Sequence, residues 1–262
     1  MSDTVLLDSS EGVATITLNR PDALNSFTLE LKEALLETVQ QVAADPAARA
    51  VVITGAGRGF SAGQDLREHA DLLATGDPAP LHTVQRHYNP LVLAVTTMPK
   101  PVIAAVNGMA AGAGASLTFA ADFRIAADSA KFLLAFANVG LALDSGASWT
   151  LPRLVGHARA TAMALLAEPV TATAALEMGL VNAVVPDDRV REAAHELAAR
   201  LAAGPTAAYA AIKEQLAFSA THPLAASLER EGELQNSLGA TTDHREATAA
   251  FLRKQRPTFT GR

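Results

Sequence analysis

Pro101-Val102-Ile103-Ala104-Ala105-Val106 offers no polar face to water, so it predicts a short buried strand. The loop that follows, Asn107-Gly108-Met109-Ala110-Ala111-Gly112-Ala113-Gly114-Ala115-Ser116, is built of small residues. Such a loop can open a helix and aim backbone N–H groups at an anion. The stretch from Pro101 to Ala121 is the nearest approach to a membrane span, but Pro101, Asn107 and the glycines break it. A span needs about 20 unbroken apolar residues. Whatever fold the chain adopts must therefore bury this strand and then turn sharply.

Short strands and helices alternate through most of the chain. Val13-Ala14-Thr15-Ile16-Thr17-Leu18 alternates with period two and predicts a half-buried strand, ended by Asn19-Arg20-Pro21-Asp22. Leu31, Leu35, Val39 and Val42 recur at helical spacing, and Asp45-Pro46 stops that helix. Ala50 to Thr54 predicts another buried strand, with further strands at Phe123 to Ala126 and Leu180 to Val185. The polar stretch from Glu68 to about Pro80 reads as a mobile loop over a site. From Arg189 the pattern is almost wholly helical, and the spacing of Asp243 and Glu246 predicts a capping box opening a last helix at Asp243. The organisation expected is an α/β region over residues 1–190 and a helical region over residues 191–262.

Composition narrows the partners. A net charge of −6 with no basic stripe argues against nucleic acid, while a few local Arg and Lys suffice for an anionic small ligand. The absence of cysteine excludes disulfides, thiolate metal sites and Cys nucleophiles, and it fits a reducing compartment. Met1-Ser2-Asp3-Thr4-Val5 lacks the basic and apolar regions of a signal peptide, so a cytoplasmic protein off the membrane is expected, with no metal.

Val51-Val52-Ile53-Thr54-Gly55-Ala56-Gly57-Arg58-Gly59-Phe60 imitates the strand and glycine turn of a nucleotide-binding dehydrogenase, and Tyr209 and Lys213 imitate its catalytic pair. The details fail. Phe60 and Ser61 stand where the fingerprint needs glycine, and Ser61-Ala62-Gly63-Gln64 starts a second turn. That second turn, Phe60 to Leu66, is another possible source of amide donors. With Asp144 in Gly140-Leu141-Ala142-Leu143-Asp144-Ser145-Gly146, it fits a site that stabilises an oxyanion while one carboxylate moves a proton. Plainer readings exist for each part. The turns can be tight packing, and Asp144 can be the N-cap of a helix at Gly146 to Leu154. Phe132, Leu133, Leu134 and Phe136 can be pocket wall or plain core, and His82 and His87 read as loop or solvated histidines.

In order and spacing these segments resemble the crotonase (enoyl-CoA hydratase/isomerase) superfamily over nearly the whole chain. The resemblance rests on Leu18-Asn19-Arg20-Pro21 with Asn25, Phe60 to Leu66, Pro101 to Gly114, Ala121-Asp122, Ala130-Lys131-Phe132 and Gly140 to Gly156. Gly112 to Ala115, Leu143 to Gly146 with Trp149 and Leu151-Pro152-Arg153, and the tail from Asp243 to Gly261 resemble the branch that isomerises 1,2-epoxyphenylacetyl-CoA. The resemblance implies an α/β fold with a crotonase-type β-β-α spiral core and a C-terminal helical trimerisation region. It also implies an acyl-CoA substrate, with coenzyme A part of the substrate and no separate cofactor, and a homotrimer or dimer of trimers.

By position the family places its oxyanion hole at the backbone N–H groups of Gln64 and Ala113. The two hydratase glutamates fall at Ser116 and Phe136, which leaves Asp144 as the single carboxylate and favours isomerisation of ring-1,2-epoxyphenylacetyl-CoA or of 3-enoyl-CoA to 2-enoyl-CoA. Substrate contacts are implied at Ala62, Asp65, Leu66, Gly112 and Phe136, and along coenzyme A at Asp22, Ala23, Leu24 and Arg67. Phe251 and Lys254 of the last helix are implied across a subunit boundary. Asp22 departs from the Lys or Arg common at its position, and Asp65 also reads as a helix cap. Hydration by the same fold, or a CoA-binding scaffold without turnover, stay open.

Overall fold

The computed structural model describes residues 3–261. In chain order its regular elements begin with β1 (Val5–Ser10), β2 (Val13–Leu18), α1 (Leu29–Ala44), β3 (Ala50–Gly55), β4 (Gly59–Ser61), α2 (Leu66–Ala74) and α3 (Asn89–Thr96). Next come β5 (Val102–Val106), β6 (Met109–Ala111), α4 (Ala113–Ala120), β7 (Phe123–Ala127), β8 (Lys131–Leu133), α5 (Ala147–Val155) and α6 (His157–Leu166). The chain closes with β9 (Val170–Thr171), α7 (Ala172–Glu177), β10 (Ala183–Val185), α8 (Val190–Ala202), α9 (Thr206–Ser219), α10 (Leu224–Gly239) and α11 (Thr242–Leu252).

Two sheets account for the architecture. Six strands in the order β1-β2-β3-β5-β7-β10 make the larger, and β4-β6-β8-β9 the smaller. Every pairing in the larger sheet is parallel except the β1–β2 hairpin, which turns at Glu11 and Gly12 with φ of 51° and 80°. Each of β3, β5 and β7 lies in the larger sheet and is followed at once by a strand of the smaller one. The chain thus winds through three β-β-α turns, the spiral core of the crotonase fold.

Sequence explains the layering. All six residues of β3 and all five of β5 are buried, because parallel strands covered on both faces have no solvent side. The α8 helix packs on this sheet through Val190, Ala194, Ala198 and Ala202, an i, i+4 stripe whose small side chains allow close approach. The stripe Leu31, Leu35, Val39 and Val42 is buried as its spacing predicts, and Thr28 caps α1 through a bond from Leu31 N.

Three local expectations are corrected and one open reading is decided. Residues 66–74 form helix α2, because Asp65 caps its first turn by accepting from Arg67 N and Glu68 N. The last helix opens one residue early, at Thr242, with Thr241 as its cap. The Asp243 carboxylate is engaged elsewhere, accepting from Thr260 N at 2.7 Å and Gly261 N at 2.8 Å to pin the C-terminal segment. Of the two readings left open for them, Phe132 and Leu134 take the core one: Phe132 is the buried residue of β8, and Leu134, just past its end, is buried too. His87 is buried rather than solvated, whereas His82 is exposed.

The dehydrogenase imitation also dissolves. After Gly55 the chain runs into β4 instead of a helix. Lys213 donates to the Asp122 carboxylate at 2.7 Å and to Lys100 O at 3.0 Å, tying α9 to the core.

Candidate active site

Two backbone turns lie against each other. The loop from β4 to α2 carries Gly63 and Gln64, and the loop from β6 to α4 carries Gly112 and Ala113. Gly63 has φ +82°, and a Cβ there would sit 2.6 Å from Ala111 O. A Cβ on Gly114 would sit 2.6 Å from Ser61 O. Glycine is needed at both, so the packing reading of these turns is correct as far as it goes.

The same packing leaves two donors aimed outward. Phe27 N donates to Gly63 O and Asp65 N donates to Phe27 O, a parallel bridge opposite Gln64. In such a bridge the residue between the two bonded neighbours turns its own N–H away from the partner strand. Among the described residues no acceptor meets the Gln64 N–H. Ala113 is the first residue of α4, with Gly112 at φ 51° before it and no side-chain cap, so its N–H has no intrahelical partner. Two free amides at the rim of one cavity, one at the positive end of a helix, can stabilise a developing oxyanion.

Asp144 faces these turns from the loop before α5. Its carboxylate accepts from Ser145 Oγ at 2.8 Å. Burial pushes its pKa above the ordinary value of 3.8, partly offset by the Ser145 hydroxyl. The N-cap reading fails, because the cap of α5 is Gly146 and no side chain bonds its first turn. Ser145 and Gly146, at φ 50° and 74°, form the sharp bend that separates the carboxylate from the helix. A carboxylate kept basic by burial and not engaged as a cap is suited to proton transfer.

Gln64, Ala113 and Asp144 all line one cavity of about 530 Å³. Ala62, Leu66, Gly112 and Phe136 line it as well. Its remaining wall is mostly apolar, from Leu73, Val84, Val139 and Leu141, with His69, Thr83 and Tyr88 as polar members. Asp144 is the one carboxylate among the described lining residues. The segment 66–81 does flank the site, though as a helix and turns rather than a loop.

Other expected residues stand apart. Ser116 is buried in α4 and bonds Gly112 O. Asp65 spends its carboxylate on four donors, namely Arg67 N, Glu68 N, Ser26 Oγ and the Arg20 guanidinium, and these bonds hold its pKa down against the effect of its burial. Asp22 and Ala23 lie in a 3-10 turn, and Leu24 O accepts from Ala62 N at 2.9 Å, so this loop borders the cavity without lining it. Arg67 is exposed on the first turn of α2. Phe251 and Lys254 are exposed near the end of α11 and are not brought to the cavity within the single chain.

A polar network behind Gln64 had no signature in the sequence. Tyr88, buried at 2 % exposure, donates its hydroxyl to Gln64 Oε1, which Lys32 Nζ also approaches at 3.4 Å. Lys32 is buried too, donates to Thr83 Oγ1 at 2.8 Å, and has its pKa lowered by burial. Thr83 Oγ1 and His87 Nδ1 are 2.9 Å apart, and burial lowers the His87 pKa. Tyr88 and His87 end a single π-helical turn, Val84–Tyr88, whose wider step carries both inward.

Comparison with known proteins places the chain in a family. The sequence profile of the family described as Enoyl-CoA hydratase/isomerase matches residues 8–262. The chain is similar to the 1,2-epoxyphenylacetyl-CoA isomerase of Escherichia coli K12, at 45% identity over the full length of both. It is equally similar to a probable enoyl-CoA hydratase of Rhodobacter capsulatus, at 45% identity over 99% of this chain and 98% of the relative. Among solved structures, a putative enoyl-CoA hydratase/isomerase from Mycobacterium abscessus superposes with a TM-score of 0.95 at 45% identity, over 98% of this chain and 100% of that one.

Proposed function

The chain belongs to the enoyl-CoA hydratase/isomerase family, and from that premise we propose that it is an acyl-CoA isomerase working through two backbone amides and one carboxylate. In this reading the thioester carbonyl sits between the N–H groups of Gln64 and Ala113. For a 3-enoyl-CoA, Asp144 takes a proton from the carbon beside the thioester, the enolate charge rests on the two amides, and Asp144 returns the proton two carbons along. The thioester and the acyl carbon count are unchanged. Each amide donor contributes on the order of 3–4 kcal/mol to such a step. No cofactor enters, since coenzyme A is part of the substrate.

The favoured acyl group is a ring-epoxidised phenylacetyl, opened to an isomeric oxepin beside Asp144. What supports this choice is the full-length likeness to the Escherichia coli isomerase together with an apolar cavity that includes Phe136. The single observation that carries isomerisation over hydration is the lone carboxylate in the cavity wall: Phe136 is an apolar lining residue and Ser116 is turned away, so no second acid holds a water. Incubation with 1,2-epoxyphenylacetyl-CoA tests the substrate. An oxepin ester of equal mass supports it, and unchanged epoxide alongside ready turnover of aliphatic 3-enoyl-CoA would move the assignment to the latter.

A homotrimer or dimer of trimers, acting in the cytoplasm, belongs to the same proposal. Its support is the apolar outer surface of the helical tail, where Leu216 and Leu224 are 71% and 75% exposed and Phe251 and Leu252 are each 78% exposed. Exposed apolar side chains grouped on neighbouring helices mark an interaction surface.

A further inference from the structure

We propose that Tyr88 is a positioning residue for the oxyanion hole: its hydroxyl, seconded by the Lys32 ammonium, clamps the Gln64 side chain and so fixes the direction of the Gln64 backbone N–H. The inference rests on the oxyanion reading above and extends it to a residue that reading leaves out.

Gln64 lies in the short link between Ser61, the end of β4, and Leu66, the start of α2. Main-chain bonds to Phe27 hold its neighbours Gly63 and Asp65, but among the described residues none holds Gln64 itself. A peptide fixed only through its neighbours can rock, and Gly63 just before it adds freedom. The side chain supplies the missing restraint. Its carbonyl oxygen receives Tyr88 from the π-helical turn and Lys32 from α1, two donors on separate elements. Tyr88 is itself fixed, with its ring 5.9 Å from that of Phe27 and Lys32 Nζ 5.5 Å from its centroid. Phe27 thus braces the Gln64 backbone through its main chain and the Gln64 side chain through Tyr88.

Tyr88 lines the same cavity as Asp144, so a direct part in proton transfer is the rival reading. Its hydroxyl proton is committed to Gln64. Burial, reinforced by the charges of Asp144 and Glu68, raises its proton affinity far above that of a free phenol, so it does not serve as a base. Holding a donor within a fraction of an ångström matters, because a displacement of about 1 Å can cost on the order of a hundredfold in rate.

The test is Tyr88→Phe in the full-length protein, which removes one oxygen and keeps the ring. The probe is 4-dimethylaminocinnamoyl-CoA, a conjugated thioester that offers Asp144 no proton and whose absorbance moves to the red when its carbonyl is polarised. The wild type should red-shift the probe, and Tyr88→Phe should bind it within about twofold while losing much of the shift. For a 3-enoyl-CoA, kcat should fall about tenfold with KM nearly unchanged, the pattern of an interaction felt mainly in the transition state. Tyr88→Phe with wild-type shift and kcat would overturn the proposal. If wild type itself gave no shift, the oxyanion reading would fall, and this inference with it. Should Tyr88→Phe fail to fold, Gln64→Met removes the acceptor while keeping the backbone donor. It must lose the shift as well, and a full shift there would equally overturn the proposal.

Discussion

Asp144→Asn separates chemistry from structure unusually well in this protein. The carboxylate takes one side-chain bond, from Ser145 Oγ at 2.8 Å, and an amide oxygen can accept the same bond. It caps nothing, since α5 starts at Gly146 without a side-chain cap. Burial raises the Asp144 pKa, so between its ordinary value of 3.8 and the raised value the folded protein holds the proton more tightly than the unfolded chain. Stability therefore rises as pH falls through that window, and at neutral pH the buried charge is a cost. The neutral Asn variant should be at least as stable as wild type at pH 7, with the gap closing below about pH 4 as both carry a neutral side chain. Catalysis should move the other way. A positioned general base contributes about 10²–10⁴-fold, or about 3–5 kcal/mol of barrier, all of which the amide forfeits. Asp144→Ala should match Asp144→Asn in activity and, because no cap is lost, avoid the penalty of about 1 kcal/mol that removing an N-cap brings. The assays are absorbance of the conjugated 2-enoyl thioester and thermal unfolding across pH. Near wild-type turnover by Asp144→Asn, or a clear stability deficit confined to the Ala variant, would refute the reasoning.

Other expectations follow from the same geometry. The rate should rise with pH through an acid limb lying above 3.8, and Ser145→Ala should push that limb higher, because the lost hydroxyl favours the charged carboxylate; a limb that does not move would detach Ser145 from the base. Gly63→Ala should cost at least about 2 kcal/mol and most of the activity, since its left-handed backbone and the 2.6 Å approach to Ala111 O both reject a methyl group; chemical denaturation measures it. Light scattering at micromolar concentration should give three copies or a multiple of three, and a stable monomer would count against the exposed leucines of α9 and α10 as an interface.

What could be read in advance follows from element length. The stripe Leu31 to Val42 and the alternation Val13 to Leu18 run long enough for their periods to declare them, and Pro101 to Val106 is declared by an unbroken apolar run that ends at Asn107-Gly108. The smaller sheet left no such mark: β4, β6 and β8 have three residues each and β9 two, too few to show a period against their neighbours. At α2 the helix cap read at Asp65 is borne out, while polar residues around a short apolar face hid how far the helix runs. Asp144 stood out because acids are missing at Ser116 and Phe136. Tyr88 did not, since its importance arises from a π-helical turn and from partners at Lys32 and Gln64 that only the fold brings together.

Isomerisation by a lone aspartate is tested most directly by comparing the protein's products from two substrates. Purified protein is incubated separately with a 3-enoyl-CoA and with crotonyl-CoA, and the products are weighed by mass spectrometry and followed at the absorbance of the conjugated thioester. The account predicts a 2-enoyl-CoA of unchanged mass from the first, and from the second a water adduct forming at most about one-hundredth as fast, the factor a missing positioned acid or base commands. A water adduct as the principal product, formed as readily as isomer, would contradict it.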